Sequence, residues 1–360
     1  MYKTPLYSIH EELHGKMIDA DGCLLPVQYS SSTDEHNAVR NNVGIFDLCN
    51  MGEFWLTGHD ALANLQKLCC QDCEYLSDRQ IVYTPMCRED GTIIDDILVF
   101  RWDANTFLLI ANGFNIDKDY NWIKSHLFGN VEFVNRSEET GTISVQGPNS
   151  EAVLSRLTRQ MLKSMKYYWF TTAKLAGCEC VISRTGFTGE DGFEIYFDAE
   201  HAIHLWNAIY EAGKEFGIKP IGLAARDSLR LEARLVHYNK DIDDTTTPFE
   251  ANLNWTVKFL KGEFIGSETL KKQKEQGTAR ILVGFEMEKG PAPKKGCRVI
   301  WNTKEIGNVT SAVNSPTLKK IIGLCYVPVS MRNPGTKFEI EISHGKLFTA
   351  TVVETPFYKG

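Results

Sequence analysis

From about residue 278 to Gly360 the chain breaks into short apolar runs separated by turn signals every 8 to 12 residues. That spacing leaves room for strands joined by tight turns and none for helical hairpins. The segment is therefore expected to close as a small β-barrel or sandwich. Charge and glycine concentrate just before it, at 271–277, and again at 286–296 (EMEKGPAPKKG). These place a boundary near 278, with a first part of 1–277 and a second of 278–360.

Upstream the texture is mixed. Glu53 to Thr57 (EFWLT), Ile93 to Trp102 (IIDDILVFRW) and Thr106 to Ala111 (TFLLIA) are β-branched and aromatic runs that read as strands. Helical patterns fall at Ala61 to Cys70, Asn115 to Leu127, Ser150 to Lys163, His201 to Phe216 and Gly222 to Leu235. In the fourth, Ile203, Trp206, Ile209 and Tyr210 recur at helical spacing. Interleaved strands and helices followed by an all-β segment predict an α+β fold, and 360 residues suffice for two or three lobes with cores of their own.

A formal net charge of −7 lacks the basic footprint that nonspecific nucleic-acid binding requires. No apolar run approaches the length of a membrane span, and the N-terminus lacks the layout of a signal peptide. The expectation is an intracellular, acidic globular protein, with no nucleic-acid or membrane partner, whose ten cysteines are free thiols.

The stretch RTGFTGEDGFEIYF, 184–197, carries the most chemistry. Its glycines, Gly186, Gly189 and Gly192, lack the G-x-G-x-x-G spacing of a dinucleotide loop, and a strand follows them rather than a helix. Alternation places Phe193, Ile195 and Phe197 on one face and Glu194 with Tyr196 on the other. A carboxylate among aromatic neighbours needs partners, because an unpaired buried charge costs several kcal/mol, to order of magnitude. A flat heterocycle with adjacent N–H donors supplies such a partner; a solvated outer sheet face is the simpler alternative.

Other features carry two readings each. Asp95-Asp96 interrupts a strand, where only one of the two faces any site; the plainer reading is a turn or edge position after Gly91. Arg226, Arg230 and Arg234 repeat every four residues, as an anion-receiving face or, more simply, a solvated salt-bridged one. His10-Glu11-Glu12-Leu13-His14 matches the zinc-protease pattern H-E-x-x-H without a third-ligand signature, as a chance match would. Cys69-Cys70-x-x-Cys73 and Cys178-x-Cys180 lack the repeated C-x-x-C spacing of a zinc site.

Taken in order, TPLYSIHEELHGKM, EHNAVRNNVGIFDL, MGEF, DGTIIDDILVF, VQGPNS, RTGFTGEDGFEI, GLAARDSLRLEA, TPFEANLNWTVK, FIG and the closing PFYKG span Thr4 to Gly360. Together they resemble the T-protein, or aminomethyltransferase, family of the glycine cleavage system. The resemblance implies a three-lobed cloverleaf of mixed α/β lobes around a central folate site, ending in a small β-barrel. It implies transfer of the methylene of an aminomethyl-lipoyl H-protein to tetrahydrofolate, with release of ammonia and without a catalytic metal. It further implies that Glu194 receives the pterin's 2-amino and N3–H donors, that Arg226 accompanies bound folate, and that Tyr83 and Asn112 line the pterin pocket. Met51, Phe187 and Tyr238 fall in motifs bordering the same cavity. Asp96 aligns with the catalytic carboxylate, and Asp95 is the reserve one residue away. The expected location is the cytoplasm, or the mitochondrial matrix for a processed eukaryotic chain.

Four positions depart from the family pattern: Cys49-Asn50 where serine-histidine is usual, Cys23 for a tryptophan, Phe187 for a tyrosine, and Tyr238-Asn239 for Tyr-Gly. They keep open a tetrahydrofolate-dependent demethylase of a small N-, O- or S-methylated compound. A non-enzymatic, folate-binding iron–sulfur assembly factor of the same fold carries K-G-C-Y-x-G-Q-E, against LKGEFIGSE at 260–268 here.

Overall fold

The structure is a computed structural model that describes residues 1–342 and 345–360. The chain begins β1 (Tyr2–Lys3), α1 (Tyr7–Glu12), β2 (Lys16–Ala20), β3 (Cys23–Gln28), α2 (Ser32–Asn41), β4 (Gly44–Asp47) and β5 (Gly52–Thr57). It continues α3 (Ala61–Leu68), β6 (Ile81–Cys87), β7 (Ile93–Asp103), β8 (Thr106–Ala111), α4 (Ile116–His126), β9 (Glu132–Asn135) and β10 (Thr140–Gln146). Then come α5 (Ser150–Leu154), β11 (Phe170–Leu175), β12 (Cys178–Ser183), β13 (Gly192–Asp198), α6 (Ala202–Gly213), β14 (Lys219–Pro220), α7 (Leu223–Glu232) and α8 (Ser267–Gln276). The last six strands are β15 (Arg280–Met287), β16 (Arg298–Trp301), β17 (Lys304–Asn314), β18 (Ile321–Pro328), β19 (Lys337–Ile342) and β20 (Lys346–Val353).

These elements fall into two compact units. The first comprises Met1–Leu65, Cys73–Tyr83 and Ile97–Asp227. Its main sheet has six strands in the order β11-β12-β13-β10-β4-β14. On one face of it Phe193, Ile195 and Phe197 from β13 pack with Val145, Leu205, Trp206 and Ile209. The alternation read from the sequence is thus realised: that face is the core under α6, and Glu194 and Tyr196 point the other way. There Tyr196 and Phe170 meet Phe100, Leu108 and Ile110 from the five-stranded sheet, order β6-β7-β8-β5-β9. Each such fully buried apolar side chain contributes about 1.5–3 kcal/mol.

The second unit comprises Gln66–Asp72, Thr84–Asp96 and Ser228–Gly360. Its centre is a closed barrel, β15-β18-β17-β16-β19-β20, filled by Phe285, Val299, Val327, Phe338 and Ile340. The turn-rich C-terminal texture therefore forms a barrel and not a sandwich. Within this unit Arg230 is buried in an ion pair with Asp241 and donates to Ser311 Oγ at 2.8 Å. Asp241 also accepts from Thr310 and Ser311 hydroxyls, each at 2.6 Å, so α7 is tied to β17.

Candidate active site

Gln146 explains the glycine run in the first unit. A Cβ on Gly186 would lie 2.0 Å from Gln146 Oε1, and one on Gly192 would lie 2.4 Å from its side chain. The amide sits wedged between the two glycines, donating to Ser144 Oγ and to Thr185 O at 3.0 Å each. It accepts from Thr188 Oγ1, also at 3.0 Å. Gly189 holds a positive φ of 81° that a side chain would strain. A bidentate Arg184–Asp191 pair, 2.8 and 2.7 Å, and Arg40 on Thr188 O at 2.8 Å fasten the loop at both ends. The glycines serve close packing rather than phosphate binding.

This loop delivers Thr185 to Glu194. In β13, Glu194 sits opposite Ser144 of β10 and Ser183 of β12, and it is 8% exposed. Thr185 Oγ1 donates to Glu194 Oε2 at 2.6 Å, and Tyr196 OH donates to the same oxygen at 3.3 Å. Among the described residues Oε1 accepts none. Burial raises the pKa of this carboxyl, and the Thr185 hydroxyl, the Arg226 charge and the Tyr196 hydroxyl only partly offset it. Arg226 stands over the Phe187 ring, 4.7 Å from its centroid, in a cation–π contact. Glu194, Arg226, Phe187, Gln146, Ser144 and Thr188 line one recess with Phe46 and Leu48. At about 10 Å³ it holds roughly one water, so these residues present a wall to a ligand rather than enclose one.

Met51 and Asn112 lie elsewhere in this unit. The β5–β8 register, Gly52 opposite Ala111, carries Met51 to the strand end beside Asn112. A Cβ on Gly113 would fall 2.0 Å from Asn50 O, so only glycine permits that approach. Met51, Asn50, Cys49 and Cys23 line a cavity of about 340 Å³ with Tyr2 and Ser137. Two of the four departures from the family pattern, Cys49-Asn50 and Cys23, thus share one cavity. Burial, then Asp47, pushes the Cys23 thiol up to about 11, and burial drives that of Cys49 well up. Tyr83, on β6, is half-buried.

In the second unit, Asp95 is fully buried on β7 while Asp96 is half-buried. The pair lies within β7, ahead of Leu98 where the pairing with β8 begins, so it belongs to a strand and not to the turn after Gly91. Tyr238 OH donates to Asp244, and it contacts Ile93 O at 3.3 Å, two residues before Asp95. Arg88 pairs with Asp244 at 3.2 Å. Burial, the bond to Asp244 and the charges of Asp244 and Asp95 all hold the Tyr238 phenol protonated.

The arginine row splits along α7: Arg226 reaches the recess, Arg230 is the core ion pair, and Arg234 donates to Ala251 O at 2.9 Å. It is not one solvated face. His10 is buried between Asp47 Oδ2 and Tyr29 OH, each at 2.8 Å. The helix α1 ends at Glu12 and His14 has φ 53°, so the two histidines share no helical face. All ten cysteines are free thiols. Sequence reading did not single out Thr185, Gln146 or Asp244; Thr185 and Gln146 lie inside quoted motifs, but nothing local signals their partners.

Comparison with known proteins finds relatives that match along nearly the whole chain. Residues 6–261 match the GCVT N-terminal domain, and residues 280–359 match the glycine cleavage T-protein C-terminal barrel domain. An aminomethyltransferase of Geobacillus sp. (strain WCH70) is 47% identical over 359 residues, covering 99% of this chain and 98% of that one. The aminomethyltransferase of Bacillus subtilis (strain 168) is 43% identical, with 99% of each chain covered. The crystal structure of glycine cleavage system aminomethyltransferase T from Bartonella henselae superposes with a TM-score of 0.93 at 29% identity, covering 99% of this chain and 98% of that one. The chain belongs to the aminomethyltransferase family of the glycine cleavage system, the T-proteins.

Proposed function

We propose that this chain takes the methylene of an aminomethyl group carried on the lipoyl arm of an H-protein and passes it to tetrahydrofolate. The products are 5,10-methylene-tetrahydrofolate and ammonia. The observation that carries the site assignment is the lopsided solvation of Glu194: both internal hydrogen bonds end on Oε2, and burial holds the carboxyl above its ordinary range. The 2-amino and N3–H groups of a pterin are adjacent donors that a carboxylate accepts together. Arg226 supplies the compensating charge, and Phe187, stacked on it, supplies an apolar face. Tyr83, Asn112 and Met51 are the further folate-binding residues of this reading on the first unit.

Asp96 is the catalytic carboxylate of this reading. N5 of tetrahydrofolate attacks the methylene as the C–S bond to the lipoyl arm breaks through an iminium-like species, and a nearby carboxylate stabilises the positive charge that develops. Asp96 is the more open of the pair, whereas Asp95 is buried beside Tyr238. Residues 1–277 carry this machinery and 278–360 form the barrel domain. The setting is the cytoplasm; among the described residues no helix is long and apolar enough to cross a membrane. Full-length likeness to aminomethyltransferases favours this reading over the demethylase and the iron–sulfur assembly factor.

The test is anaerobic formation of 5,10-methylene-tetrahydrofolate from tetrahydrofolate and aminomethyl-loaded H-protein. Asp96→Asn is expected to lower kcat by about 10²–10⁴-fold, the range of a positioned acid–base or charge-stabilising group. Asp95→Asn, with Asp96 intact, is expected to act mainly through stability. Folate binding without turnover in the wild type would move the assignment to a different methylene donor.

A further inference from the structure

Glu53 is a buried carboxyl of the first unit whose two oxygens are unequally satisfied. It is 1% exposed; Oε1 accepts from Thr142 Oγ1 at 3.0 Å, and among the described residues Oε2 has no hydrogen-bond partner. On β5 the alternation Met51, Glu53, Trp55 directs it across the gap between the two sheets, where Thr142 lies opposite Tyr196 in the β10–β13 register. Buried polar atoms are almost always paired, so an orphan carboxylate oxygen calls for a partner.

The gap opens beside it. A crevice of about 400 Å³, within the range of small-molecule sites, is bounded by Glu53, Trp55, Leu108, Val181 and Tyr196. Its rim carries Glu139, Glu179 and Asp198, of which Glu139 is paired with Arg136 at 2.5 Å and Glu179 with Lys174 at 3.3 Å, leaving an excess of one carboxylate. Glu194 and the recess beside it are not among its lining residues, so the crevice is distinct from the proposed folate wall. An indole and a phenol ring on its walls, a carboxyl among its lining residues and an acidic rim select positive charge attached to a flat apolar body.

We propose that this crevice is a second binding site, for a small organic ammonium ion with an aromatic or similarly flat body, neutralised by Glu53. Burial holds the free carboxyl well above its ordinary range. Docking of an ammonium therefore breaks the Glu53 O–H bond, passes that proton to water and buffer, and leaves a carboxylate–ammonium pair with the ligand itself unchanged.

The probes are phenethylammonium, neutral 2-phenylethanol and anionic 3-phenylpropanoate, titrated into the full chain by calorimetry and by tryptophan fluorescence. Saturable one-to-one binding of phenethylammonium alone, weakened at least about tenfold in Glu53→Gln, is expected. Calorimetry of the wild type in buffers of different ionisation enthalpy is expected to show up to one proton released, a readout that survives if Glu53→Gln folds poorly. Equal binding of the alcohol and the amine, or binding unchanged in Glu53→Gln, would overturn the proposal. So would no binding at all, which would leave a buried water as the partner of Oε2.

Discussion

Asp241 and Glu194 are carboxylates buried to similar depth, 1% and 8% exposed, yet they titrate in opposite directions. At Asp241 burial works to raise the pKa, but the Arg230 charge and the Ser311 and Thr310 hydroxyls outweigh it, and the group is held below its ordinary range. At Glu194 burial prevails over Thr185, Arg226 and Tyr196. The first has its full complement of partners inside the protein and fastens the barrel to α7. The second is left short of donors on one oxygen. A carboxylate whose compensation is complete is structural; one whose compensation is incomplete has room for a ligand's donors.

The largest effect that sharpens this contrast is on stability. Asp241→Ala strands Arg230 in the core and is expected to cost about 3–5 kcal/mol in urea unfolding. Glu194→Gln is expected to leave the unfolding free energy unchanged or raise it by about 1 kcal/mol, since it removes a carboxylate that burial disfavours. A loss comparable to that of Asp241→Ala would erase the distinction.

The pH dependences differ in sign. For Asp241 the folded pKa lies below the ordinary 3.8, so its stabilisation is present above that value and is lost as pH falls through the folded pKa. For Glu194 the folded pKa lies above 4.5, so its contribution is most favourable below 4.5 and is lost as pH rises through the folded pKa. Stability of wild type minus Glu194→Gln, followed upward from pH 4.5, is expected to decline; a rise would mean that the carboxylate is fully paired in the absence of ligand. The smallest effect is Phe187→Tyr, which adds a hydroxyl beside Arg226 and is expected to change folate affinity by less than about tenfold, one hydrogen bond's worth.

The strand carrying Glu194 was legible because alternation is local: every second residue of FEIYF faces the core, and the polar residues betray the other face. The barrel was legible because its turns are closely spaced. What escaped depends on distance in the chain. Arg230 looks like one rung of a solvated ladder until Asp241 and the more distant Ser311 are brought against it. Gln146 gives no local sign that it will sit between Gly186 and Gly192. The expected helix from Ser150 to Lys163 stops at Leu154, because only Ser150, Val153 and Leu154 of its first turns are buried and polar Ser155 follows. Asp95 and Asp96 resemble a turn by composition, yet they fall within the strand Ile93–Asp103.

The most direct measurement is a tetrahydrofolate titration of the wild type and Glu194→Gln, read by tryptophan quenching under anaerobic conditions. Loss of the charged acceptor is expected to raise Kd by about 10²-fold, corresponding to roughly 2–3 kcal/mol for hydrogen bonds to a charged group, with no loss of stability. Equal affinities in the two proteins would contradict the claim that Glu194 is held short of partners in order to receive the pterin.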